Sequence, residues 1–220
     1  LSDVSVNSYH GTLTNMITSG ASTDWTAFST TQSETAQAVT EGGATDTYTI
    51  VLDQEPSADV TVTLTSDDTD AATVTSSLTF TSANWSDAQI VTVTPVSDDD
   101  ATNESVTITH SLSGGGYNGA AVTDVVVTVT DDDTVGITQS QTTRTVGEAG
   151  TATYTLVLDT QPTGTVTITP TSGDTDAASV SSALSFTTSN WATPQTVTIT
   201  GVNDDNATNE TFNITHTVSG

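Results

Sequence analysis

The 220-residue chain carries 27 Asp and Glu residues against a single basic one, Arg144, for a formal net charge of -26. That balance excludes nucleic-acid binding, which needs a basic footprint, and an anionic membrane would repel it; metal cations, salt or a cationic partner must neutralise the acids instead. With neither cysteine nor lysine, disulfides, thiolate sites and Lys-based isopeptide crosslinks are excluded too, and no apolar run approaches the roughly 20 residues of a membrane span.

In chain order, residues 1–35 match nothing else along their length and read as an N-terminal extension. Within it, SDVSVNS (2–8) resembles the later TDVVVTVTD (123–131). It reads either as the end of a preceding module or as a strand donated to a neighbouring molecule. Leu13, Met16, Ile17, Trp25 and Phe28 are its candidate anchors. Thr, Val and Ile then alternate over short runs. A strand near Gln37–Thr40 is followed by TYTIVL (47–52), VTVTLT (60–65), SLTF (77–80), IVTVTPV (90–96), SVTITHSL (105–112) and TDVVVTVTD (123–131). Each has period two, with one apolar and one Thr/Ser face, and the breaks carry Asp, Gly, Ser, Asn and Pro. About seven short strands in about 100 residues predict an immunoglobulin-like β-sandwich, repeat one, over residues 36–133. A linker spans 134–142, and repeat two spans 143–220.

The stretch Tyr48–Gly114 returns as Tyr154–Gly220: VSDDDATNESVTITHSLSG, for example, reappears as VNDDNATNETFNITHTVSG. Such self-similarity marks an array of modules. The expected fold class is all-β, two tandem immunoglobulin-like sandwiches plus the extension. Repeat two lacks its last strand, because nothing in it corresponds to GGYNGAAVTDVVVTVTDDD (115–133). The strand TFNITHTV (211–218) is then expected to present an open edge, a template for pairing with another chain.

Three repeated features carry structural expectations. His110 and His216, in matching ITH triplets, share a face with Ile108 and Ile214; they read as half-buried, hydrogen-bonded histidines, not ligands. Trp85 and Trp191 read as plugs at strand entries, with sugar stacking as the alternative. Asn84, Asn103, Asn206, Asn209 and Asn213 lie in sequons and make glycans a candidate partner. No nucleophile elbow, phosphate loop or His-rich metal site appears, so no enzymatic activity is expected.

The acids cluster in loops: Asp67, Asp68 and Asp70; Asp98, Asp99, Asp100 and Glu104; Asp131, Asp132 and Asp133; with Glu41 near the first strand. Carboxylates this dense repel one another unless a cation sits among them, and an all-oxygen donor set suits Ca²⁺. VTEGG, LTFTSANWSDAQIVTVTPVSDDDATNE, GGYNG and the closing VTVTDDD together resemble a Calx-β-type module and related repeats of bacterial surface adhesins. The resemblance covers both repeats but not residues 1–35. It implies an immunoglobulin-like sandwich with Ca²⁺ in the loops near its end. The implied ligands are Glu41, Asp98, Asp99, Glu104, Asp131, Asp132 and Asp133, and, in repeat two, Glu148, Asp204, Asp205 and Glu210, with Asp70 and Asp176 as weaker matches. Repeat two has no closing DDD, so any site there is incomplete or completed by another chain.

The resulting expectation is an extracellular, calcium-stiffened structural protein. Its leading form is a subunit of a cell-surface filament, sheath or surface layer, assembled head to tail with other copies by donor-strand complementation. The alternatives are a stalk segment of a large adhesin, flanked by further modules of a longer chain, and a carbohydrate-binding module.

Overall fold

The computed structural model describes residues 28–205 and 207–220. The proposed donor segment 2–8, the anchors Leu13, Met16, Ile17 and Trp25, and the sequon residue Asn206 lie outside the described residues. Every element described is a strand: β1 Thr30–Gln32, β2 Ala36–Thr40, β3 Asp46–Leu52, β4 Val60–Ser66, β5 Ala72–Val74, β6 Ser77–Phe80, β7 Gln89–Pro95, β8 Glu104–Gly114, β9 Val125–Thr130, β10 Ile137–Gln139, β11 Thr151–Leu158, β12 Val166–Ser172, β13 Ala178–Val180, β14 Leu184–Phe186, β15 Gln195–Gly201 and β16 Ile214–Ser219. No helix among them is long and apolar enough to cross a membrane. The chain divides into two compact units, one holding β1–β9 and the other β10–β16 together with Asp98–Thr102 from the loop after β7.

The first unit is an immunoglobulin-like sandwich of two sheets, ordered β1-β3-β7-β5 and β2-β9-β8-β4-β6. The alternation of the sequence becomes alternation of burial. Val125, Val127 and Val129 of β9 are fully buried while the residues between them face out, as a two-residue side-chain period demands. Val60, Val62 and Leu64 of β4, and Tyr48, Ile50 and Leu52 of β3, meet them from both sheets to form one core. Each fully buried Val, Ile or Leu contributes about 1.5–3 kcal/mol. Phe28 joins this core and packs on Tyr117, ring centroids 4.6 Å apart.

The second unit repeats part of this plan, with sheets ordered β10-β11-β15-β13 and β14-β12-β16. Strands β12, β14 and β16 stand where β4, β6 and β8 stand in the first. The positions of β2 and β9 have no counterpart among the described residues, so the outer edge of β16 carries no ladder. The smaller core gathers Tyr154, Leu156, Ile168, Phe186 and Val197.

Two strand pairs fall in stretches read from sequence as extension and linker. Thr30–Gln32 pairs with β3, and Ile137–Gln139 pairs with β11, in matching antiparallel register. Three-residue strands carry too little alternation to be seen as a period. Trp85 and Trp191 pack partly buried against the two cores, and their carbonyls accept from the N–H of Leu52 and Leu158.

Candidate metal centre

The acidic centre is set up by an exception in the first sheet. β2 and β9 pair in parallel, from Ala36 opposite Val126 to Thr40 opposite Thr130. The Glu41 N–H continues that ladder by donating to Thr130 O at 2.9 Å. Glu41 and Asp131, the next residues on each strand, therefore leave the sheet at the same end. Asp98 arrives from the loop that follows β7. A carboxylate oxygen from each of Glu41, Asp98 and Asp131 lies within 4.8 Å of the other two.

Glu41 is only 2 % exposed, Asp131 is half-buried and Asp98 is exposed. Short Asx turns hold both loops in shape: Asp98 Oδ1 accepts from the Asp100 N–H at 2.8 Å, and Asp131 Oδ1 from the Asp133 N–H at 2.7 Å. Asp100 Oδ1 is buried with no hydrogen-bond donor. The Asp133 carboxyl is pushed up, first by desolvation and then by the charges of Asp131, Asp132, Asp99 and Asp98. Negative charge thus accumulates around a buried carboxylate, and Arg144 is the only basic residue in the chain. Three hard oxygen donors without His or Cys suit a calcium-type ion better than zinc.

The other predicted ligands are distributed around this group. Asp99 and Asp132 are exposed neighbours in the same loops. Glu104 is half-buried at the start of β8, opposite Val129. Asp70 and Asp176 stand in matching turns, each N–H donating to the side chain of Asp68 or Asp174 at 3.0 Å. In the second unit Glu148 and Glu210 are exposed, as is Asp205, and Asp204 is half-buried. No comparable group of three forms there among the described residues. Among the described residues the stretch leading to Glu148 pairs with no strand in the way β2 pairs with β9, and Glu148 stays exposed.

Both histidines are hydrogen-bonded and partly buried. His110 Nε2 meets the Tyr48 hydroxyl at 2.7 Å, and His216 Nε2 meets that of Tyr154 at 2.7 Å, each ring pair edge to face. These bonds join the two sheets of each sandwich, β3 to β8 and β11 to β16. Burial lowers both histidine pKa values, with Asp124 opposing the shift at His110. The tyrosine partners were not read from the sequence, although their repetition in step with the histidines was the available signal.

No family model and no curated protein matches the sequence. Among solved structures the chain is similar to CBD12 from CALX1.2, at 16% identity over 86% of this chain and 79% of that one, with a TM-score of 0.39. It is also similar to the apo-form Calx CBD1 domain, at 20% identity over 48% of this chain and 98% of that one, TM-score 0.38. A third likeness is to the periplasmic chaperone SfaE, at 8% identity over 72% and 82%, TM-score 0.38. These likenesses concern the immunoglobulin-like β-sandwich class, to which the chain's fold belongs.

Proposed function

We propose that Glu41, Asp98 and Asp131 hold a Ca²⁺ ion and that the chain is a non-catalytic structural element outside the cell. In this reading it is a subunit of a filament, sheath or surface layer that grows by strand addition at β16. The supporting observation is the burial of Glu41 beside two further carboxylates. Three carboxylates gathered this closely repel one another, and a divalent cation among them offsets that repulsion. Ca²⁺ takes about six to eight oxygens, which leaves room for neighbouring loop carboxylates, carbonyls and water. Bound there, it ties together the ends of β2, β7 and β9.

Extracellular calcium modules bind at about 0.1–1 mM, and a tenfold excess over such a Kd adds about 1.4 kcal/mol. Ca²⁺ is therefore expected to raise the melting temperature of the chain by about 5–10 °C. The double substitution Asp98→Asn with Asp131→Asn should abolish that rise and cost nothing in chelator. An undiminished rise in the variant would remove the ion from these residues. For the assembly, negative-stain electron microscopy in millimolar Ca²⁺ should show regular filaments. Dispersed particles would assign the chain to a stalk instead.

A further inference from the structure

Between β1 and β2 the chain crosses from one sheet of the first sandwich to the other, and two glutamines meet one acid there. Gln37 is only 5 % exposed and shares the inward face of β2 with Val39, where an amide is out of place unless its polar atoms are paired. Its Nε2 donates to Glu34 Oε2 at 2.6 Å. Gln32, half-buried at the end of β1, donates from Nε2 to the Glu34 backbone carbonyl, also at 2.6 Å. Reversing either amide would set oxygen against oxygen, so both nitrogens must face Glu34. Holding the nitrogen of a planar amide also fixes its oxygen. Gln32 Oε1 and Gln37 Oε1 are both buried, and neither has a hydrogen-bond donor among the described residues. Buried acceptors in native proteins are paired with protein, water or an ion.

The second repeat indicates which of these belongs here. Residues 30–39, TTQSETAQAV, return as 137–146, ITQSQTTRTV. Gln139 repeats Gln32: it pairs with Leu156 as Gln32 pairs with Ile50, and its Nε2 donates to Gln141 O at 2.6 Å. Two positions change together. Gln141 replaces Glu34, and Arg144, the one basic residue of the chain, replaces Gln37. Repeat two thus carries its own positive charge at the position where repeat one has an amide oxygen and, three residues earlier, a carboxylate. A water molecule would pair the two oxygens of repeat one but leave that carboxylate uncompensated. A cation answers both. One carboxylate with neutral carbonyl oxygens matches a single positive charge, whereas Ca²⁺ gathers six to eight oxygens and Mg²⁺ gives up its water reluctantly. Carbonyl oxygens can replace the hydration shell of an alkali ion.

We propose that Gln32, Glu34 and Gln37 bind a monovalent alkali cation, Na⁺ or K⁺, where the chain passes between the sheets. Bound there, the ion links β1 of one sheet to β2 of the other, a join that this chain cannot make with a lysine or a disulfide. Gln37 precedes Glu41 by four residues of extended chain, about 13 Å, and the two sites share no ligand. The inference therefore does not rest on the calcium reading.

The test is thermal unfolding of the full chain in chelator, at one ionic strength set by sodium, potassium or tetramethylammonium chloride. The organic cation is too bulky to reach buried oxygens. Melting is expected about 3–6 °C higher in sodium or potassium, and the better of the two identifies the ion. Gln37→Leu removes the buried amide without changing the net charge and should erase the difference. Glu34→Gln keeps an acceptor for Gln37 Nε2 but not the charge, and should erase it too. Asp98→Asn with Asp131→Asn should leave it intact, which separates this site from the acidic centre. A readout independent of stability is sodium NMR relaxation with Ca²⁺ saturating: the native chain should show a bound component that Gln37→Leu lacks. Equal melting in all three salts would overturn the ion and leave a water between the amides. A preference for alkali ions that survives both Gln37→Leu and Glu34→Gln would equally overturn the site, since the ions would then act elsewhere on the acidic surface.

Discussion

Tyr48 and His110 do for this cysteine-free sandwich part of what an inter-sheet disulfide does elsewhere: they join the two sheets through one partly buried hydrogen bond. Because burial lowers the His110 pKa from its ordinary 6.5, the folded state binds fewer protons than the unfolded chain just below that value. Stability is therefore complete above about pH 6.5 and is lost as the pH falls toward the lowered folded value. Asp133 works in the opposite sense. Its raised pKa adds stability as the pH falls through the carboxylate range. The two are separated by comparing the chain with His110→Gln in chelator. The variant should melt lower at neutral pH, and its melting temperature should decline less between pH 7 and pH 5. Equal declines would mean that this histidine does not titrate on unfolding. The half-buried setting of His110 was legible in the sequence because alternation placed it on the face of Ile108. Its bond to Tyr48 was not, since a contact across two sheets depends on how they stack.

Strands β8 and β16 make the same point for elements. Their sequences, SVTITHSLSG and TFNITHTVSG, are nearly interchangeable, yet β8 buries Val106, Ile108 and Leu112, while β16 has no fully buried residue. The difference lies in what pairs with them, not in their own propensity. The placement of Tyr117 was not legible in the sequence, because its partners Phe28 and Gln54 are distant along the chain and come together only in the fold. Likewise Glu41, Asp98 and Asp131 were among thirteen candidate ligands, and it takes the parallel register of β2 and β9, with the loop after β7 folded beside it, to distinguish them. The loop that inserts Tyr117 depends on backbone that only glycine adopts readily. Gly116 has φ +95°, and a Cβ there would lie 2.8 Å from the Phe28 ring. Gly116→Ala is expected to cost about 1–3 kcal/mol and to expose Tyr117, read as lowered melting of the first unit and increased quenching of tyrosine fluorescence by added iodide. Unchanged melting would show that the loop tolerates a side chain there.

At the scale of the whole molecule, a net charge of -26 works against any compact state through self-repulsion. Raising ionic strength from 0.01 to 0.15 M shortens the screening length from about 30 to about 8 Å. In chelator both units should then melt higher, and millimolar Ca²⁺ should shrink the salt effect. A melting temperature indifferent to salt would mean that the acids are already neutralised within the fold. The parallel pairing of β2 with β9 also has a mechanical meaning. These strands begin and end the first sandwich's larger sheet in chain order, and they point the same way. Tension applied through Ala36 and Thr130 therefore pulls the two strands lengthwise past each other. All five residue pairs of the ladder bear the load together, in shear, where an antiparallel pair joined at the same end would unzip one bond at a time. A module closed in this way transmits force along its length before it opens.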